Sequence, residues 1–91
     1  SASCTLIEKA TFENEEILSK DWETYPIIKF NQVPRTFVSI VSHPDLPFLG
    51  VGEAAHGPTA AAISNALRTA LGVRIKNLPI TRDDIISALN K

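Results

Sequence analysis

Gly57-Pro58-Thr59-Ala60-Ala61-Ala62-Ile63-Ser64-Asn65-Ala66-Leu67-Arg68-Thr69-Ala70-Leu71-Gly72 carries both ends of a helix in its own letters. Pro58 suits the first helical position, where its missing N–H leaves no bond unmade. Gly72 suits the left-handed residue that closes the last turn, with Val73 folding back towards Leu67. Between them Ile63, Leu67, Ala70 and Leu71 form an apolar stripe. The alanines and Ser64 have two readings of equal weight: thin faces that let another element or a cofactor approach, or plain helix propensity.

Downstream, Val73 to Ile80 reads as extended, and a second helix begins at Thr81. Thr81-Arg82-Asp83-Asp84 approximates a capping box, and Ile80 and Ile85 can staple across it. Ile85, Ile86 and Leu89 are then expected to face inward. Upstream the pattern changes to strand. Cys4 to Phe12 alternates roughly, Glu13-Asn14-Glu15 offers a turn, and Glu16 to Asp21 returns as the second arm of a hairpin. Tyr25 to Phe30 is a short extended piece whose Pro26 suits an edge. Arg35 to Ser42 is the clearest strand, and Phe37, Val38, Ile40 and Val41 place apolar residues on both of its faces, which predicts burial on both sides. His43-Pro44-Asp45-Leu46-Pro47 ends it. The fold class expected over residues 1–91 is therefore α+β: a few antiparallel strands in the N-terminal half, packed with two C-terminal helices.

Leu49-Gly50-Val51-Gly52-Glu53-Ala54 places a carboxylate directly behind two glycines on a loop that leads into the first of these helices. Without Cβ atoms, Gly50 and Gly52 allow positive φ and let backbone lie flush against a ligand. Gly-x-Gly-Glu alone arises by chance in roughly 3 of 100 chains of this length. A glutamate on such a loop is most often simply solvated.

The surroundings add what four letters cannot. Asn31-Gln32-Val33-Pro34, Gly50-Val51-Gly52-Glu53-Ala54-Ala55 followed by Pro58, Ala62-Ile63-Ser64-Asn65-Ala66-Leu67, and Gly72-Val73-Arg74-Ile75 followed by Leu78-Pro79-Ile80-Thr81 occur in order from Leu6 to Leu89. Together they resemble the last stretch of the molybdenum-binding large subunit of molybdenum hydroxylases, the xanthine dehydrogenase and aldehyde oxidoreductase superfamily. The isoquinoline 1-oxidoreductase branch is the nearest in pattern. The resemblance implies a C-terminal piece of a far longer subunit that hydroxylates an electron-poor carbon of an N-heterocycle or aldehyde using water. It implies Glu53 as general base, with the backbone at Gly50 and Gly52 approaching the cofactor. It also implies a molybdopterin cofactor whose own sulfurs hold the metal, so no side-chain metal ligand is expected. The implied partners are the remainder of the large subunit and an iron–sulfur electron-transfer subunit. For the isolated chain the expectation is no cofactor, no activity and self-association. His56 departs from the family pattern, where proline or a small apolar residue is expected.

Composition restricts the other classes. Lys+Arg 9 against Asp+Glu 10 gives a net charge of −1, and nonspecific binding to nucleic acid needs a concentrated basic face. Arg68, Arg74, Lys76 and Arg82 do recur, but Asp83 and Asp84 sit among them, as on a solvated helix surface. The single cysteine, Cys4, permits no internal disulfide. No apolar run is long enough to span a bilayer, and membrane insertion is not expected. The parent's compartment, bacterial cytoplasm or periplasm, is left open. His43 reads as a strand-end residue, His56 as a loop-surface residue ahead of a helix, and Asn65 as solvent-facing or packing. Trp22 and Tyr25 bracket a bend where they cover apolar surface. A noncatalytic α+β module that keeps this sequence but binds a protein partner is the alternative from another class.

Overall fold

A computed structural model describes all 91 residues. Helix α1 spans Ala2–Leu6, strands β1 and β2 are Phe12–Glu13 and Glu16–Ile17, a 3₁₀ turn covers Phe30–Gln32, and helices α2 and α3 span His56–Leu71 and Arg82–Leu89. The fold is a small mixed α+β arrangement with one two-stranded antiparallel sheet.

The start of the chain departs from expectation: Ala2–Leu6 is helix where Cys4 to Phe12 reads as strand. A short run of mixed residues fits either period, and packing decides. Here α1 lies against α2, and Thr5 is 3% exposed, with its hydroxyl donating to the Ser1 carbonyl at 2.9 Å. The hairpin does form, shorter than read. Phe12 pairs with Ile17 and Glu13 with Glu16, and Asn14 and Glu15 turn the chain with φ of 46° and 67°, two positive values in succession as in a type I′ turn. Pairing runs on through Leu18 N–H to Thr11 O at 2.8 Å and Thr11 N–H to the Ser19 hydroxyl at 2.8 Å. Asp21 belongs to the next turn, where its Oδ1 accepts from Glu23 N–H, Thr24 N–H and the Thr24 hydroxyl.

α2 keeps its expected C-terminus: Gly72 is left-handed at φ 74°, and its N–H reaches the Arg68 carbonyl. Its N-terminus lies two residues earlier than expected, at His56, so Pro58 falls inside the first turn, where backbone N–H groups have no intrahelical acceptor in any case. The inward stripe is Thr59, Ala60, Ile63, Ser64 and Leu67, all half-buried, whereas Ala70 and Leu71 are exposed. In α3 the capping box forms as read, with Thr81 accepting from Asp84 N–H and Asp84 accepting from Thr81 N–H. Ile85 turns inward with Ala88, while Ile86 and Leu89 stay exposed.

The core is small. Ile80, 4% exposed, and Ile75 join Thr5 as the buried residues, and Ile80 N–H donates to Thr5 O at 2.7 Å. The extended segment 73–80 is thus clamped between α1 and α2, helped by Ser64 Oγ on Ile75 O and by Arg74 Nη2 on the Asn65 side-chain oxygen at 3.1 Å. Asn65 therefore ties two elements together.

The largest difference lies in the middle. Arg35 to Ser42 forms no strand; none of its backbone groups makes a backbone hydrogen bond, and Phe37 is 89% exposed. The expected burial on both faces is not found within this chain. The only sheet is two residues deep and offers no edge long enough to take a strand of that length.

Candidate active site

The chain around Glu53 descends from the exposed middle segment, turns at 52–55, and enters α2. The turn is closed by His56 N–H donating to the Glu53 carbonyl at 2.9 Å. This sets residue 53 one turn ahead of residue 56, so two side chains spaced by three converge on one opening. A depression of about 280 Å³ is lined by Ser1, Gly52, Glu53, Ala55 and His56. His56 Nδ1 lies 3.0 Å from the Ser1 hydroxyl. A neighbouring hollow of about 330 Å³ runs between α1 and α2, lined among others by Cys4, Thr5, His56, Ala60 and Leu78.

Glu53 is exposed, and its carboxylate makes no hydrogen bond or ion pair within the chain; the ion pair present joins Lys20 and Glu16. A carboxylate with free lone pairs at the rim of an opening can accept a proton or a hydrogen bond from whatever enters. Gly50 and Gly52 flank the same approach. Neither adopts positive φ, and a Cβ built on either meets nothing within 4 Å, so the space beside them faces outward and is not taken by the chain itself. No cluster of three or more His, Cys, Asp or Glu side chains able to hold a metal is present.

Of the residues singled out by sequence, Glu53 and Gly52 meet at one opening. Gly50 precedes them on the exposed approach and does not line it. His56 belongs to the site's wall as the first residue of α2 and is not a loop residue. The i, i+3 spacing of Glu53 and His56 was the available signal for this. Ser1 was missed, because its contact depends on α1 being helical and folding back on α2. Tyr25 lies away from the opening: its hydroxyl donates to Glu8 Oε2 at 2.8 Å. The Ser3 hydroxyl and then the Tyr25 phenol hold the Glu8 carboxyl below its ordinary range. The same bond raises Tyr25. Trp22 stays largely exposed, beside Ser19, Lys20 and Asp21. His43 closes a turn, its carbonyl accepting from Leu46 N–H.

No family model matches the sequence, and no solved structure matches it significantly. The chain is 40% identical over 89 residues to a subunit of the nicotinate dehydrogenase of Pseudomonas putida, an alignment that takes in 98% of this chain and 8% of that protein. It is 28% identical over 83 residues to the membrane-bound aldehyde dehydrogenase [pyrroloquinoline-quinone] of Gluconacetobacter polyoxogenes, covering 86% of this chain and 11% of that protein. The chain is thus similar over most of its length to proteins named as dehydrogenases, a class of oxidoreductase, and spans about a tenth of their length.

Proposed function

We propose that the chain is one wall of the catalytic centre of a molybdenum hydroxylase large subunit, with Glu53 as the general base. The observation that carries this reading is the unpartnered Glu53 carboxylate at the mouth of an opening it shares with Gly52 and His56. That opening lies within a stretch 40% identical to part of a nicotinate dehydrogenase.

The residues present fit one side of such a cofactor. The chain itself offers no cluster of metal-binding side chains, which accords with a metal whose ligands come from the cofactor, as in a molybdopterin. The open space beside Gly50 and Gly52 lets their backbone approach a broad ligand, with Glu53 next in the chain. When bound, the cofactor supplies an acidic metal centre that activates water and takes up two electrons. Overall, a carbon–hydrogen bond and one water become a carbon–hydroxyl bond, two protons and two electrons. Glu53, as carboxylate, accepts the proton released by the water-derived oxygen as that oxygen bonds to carbon. The substrate class that suits this chemistry is an electron-poor N-heterocycle or an aldehyde, and the relatives' names, nicotinate and aldehyde, belong to those two classes. The electrons then leave to an iron–sulfur partner subunit.

The test uses the full natural polypeptide that contains these residues. Glu53→Gln keeps shape and hydrogen bonding but removes the base. Turnover should fall by about 10²–10⁴-fold with molybdenum content unchanged, and His56→Ala should do much less. Near-normal turnover of the Glu53→Gln protein at full molybdenum content would overturn the assignment. So would a wild-type polypeptide that copurifies with pyrroloquinoline quinone, the cofactor in the second relative's name, and without molybdenum.

A further inference from the structure

The chain's accessible surface is 8221 Å², against about 5,200 Å² for a folded monomer of this mass. Its radius of gyration is 17.0 Å, where about 12 Å is usual for this length. The excess of about 3,000 Å² on this one side is at least one partner's share of an obligate interface, which buries about 2,000–5,000 Å² or more over both partners and is of the more apolar kind. Exposed large apolar side chains concentrate on the arm from Arg35 to Val51, among them Phe37, Val38, Ile40, Val41, Leu46 and Phe48.

The arm's first part has a specific shape. Residues 35–42 make no backbone hydrogen bond on either edge, and their apolar side chains occupy both faces. A strand of that kind suits only the interior of a sheet covered above and below. Pairing with the same arm of a second copy supplies one neighbour per strand. The other edge and the outward face stay bare. The alignment, by contrast, leaves about nine-tenths of each relative's length outside this chain.

We infer that residues 35–42 dock as an interior strand in a sheet of the longer polypeptide of which this stretch forms part, entering a slot between two of its strands. The occupant of this surface is thus the same polypeptide's own β-structure. This anchors the chain 11 residues before Glu53 and fixes the approach to the candidate base. The inference rests on the similarity to longer proteins and not on the chemistry assigned to Glu53, and its readout is separate from cofactor or turnover.

Amide hydrogen exchange on the full natural polypeptide tests it, with the 91-residue chain as a dilute reference. Amides of residues 36–42 should exchange on the order of 10³-fold or more slowly in the full polypeptide, because opening a docked interior strand approaches global unfolding. In the dilute 91-residue chain they should exchange freely while those of α2 do not. Free exchange of 36–42 in the full polypeptide overturns the inference, as does a natural product no longer than these 91 residues. Protection that disappears when the full polypeptide is diluted to monomer assigns the arm to a second copy and overturns it equally. A full polypeptide with a protected arm but no molybdenum keeps the docking and removes only the functional reading.

Discussion

Asp84 shows how one residue links the cap of α3 to pH. Hydrogen bonds from the Thr81 side chain and then the Thr81 backbone hold its carboxyl below the ordinary aspartate range. A carboxylate whose pKa is depressed by folding contributes stability above its unfolded pKa and loses it as pH falls through the folded one. Acidification below the ordinary aspartate range should therefore fray α3 from its N-terminus, seen as loss of amide protection at Asp84 and Ile85. Asp84→Asn should flatten that dependence. Thr81→Ala removes the cap itself and should destabilise the helix by about 1 kcal/mol at neutral pH. The Glu8–Tyr25 bond is bounded on both sides. Glu8 is depressed, so its contribution fades in acid; Tyr25 is raised, so its contribution is present below the ordinary tyrosine pKa and fades as alkali ionises the phenol. Tyr25→Phe should raise the acid midpoint of Glu8 in a carboxyl titration followed by NMR, but not to the free value, because the influence of the Ser3 hydroxyl remains. An unmoved Glu8 midpoint would show that this bond is not made in solution.

At the scale of elements, local signals were legible where they rest on backbone requirements. Gly72 closes α2 at φ 74°, and Gly72→Ala should cost about 1–2 kcal/mol because a Cβ disfavours that conformation; the Cβ meets no neighbour, so the cost is conformational. Reduced helical circular dichroism at 222 nm with earlier thermal loss checks it. The Thr81 box and the Asn14–Glu15 turn follow from the same kind of local rule. Glu15 sits at φ 67°, so Glu15→Gly should tighten the hairpin, read as stronger contacts between Phe12 and Ile17. What could not be read from local letters was anything decided by a partner. Ala2–Leu6 became helix because α2 gives it a surface to lie on. The strand character of Arg35 to Ser42, by contrast, is plain in its side chains, yet the chain contains no sheet to receive it. At the site, Glu53 was legible as the residue behind two glycines and His56 from its spacing of three along a local turn, whereas Ser1 was not, because it meets them only after α1 packs on α2.

For the whole molecule, three buried residues hold the helical end together, while the arm, Trp22 and Phe30 stand in water. Full burial of a large apolar side chain is favourable by about 1.5–3 kcal/mol, so eight such residues on one arm amount to a strong drive towards any surface that covers them. The docking inferred above supplies that surface from within a longer polypeptide; the 91-residue chain alone does not. The isolated chain should therefore carry no molybdenum, since one wall cannot retain an anionic pterin, and metal analysis finding a stoichiometric amount would reverse that. It should also self-associate through the arm, because unpaired strand edges accept other strands. Sedimentation velocity should show a weight-average mass that rises across the micromolar range. Replacing Val38 and Val41 together with Lys places charge on both faces of the arm, since residues an odd number apart point to opposite sides of an extended chain. This should return the chain to monomer without changing its helical signal, because both side chains are exposed and touch neither helix core. A wild-type chain that sediments as a monomer at every concentration would mean that the arm folds onto its own helices in water.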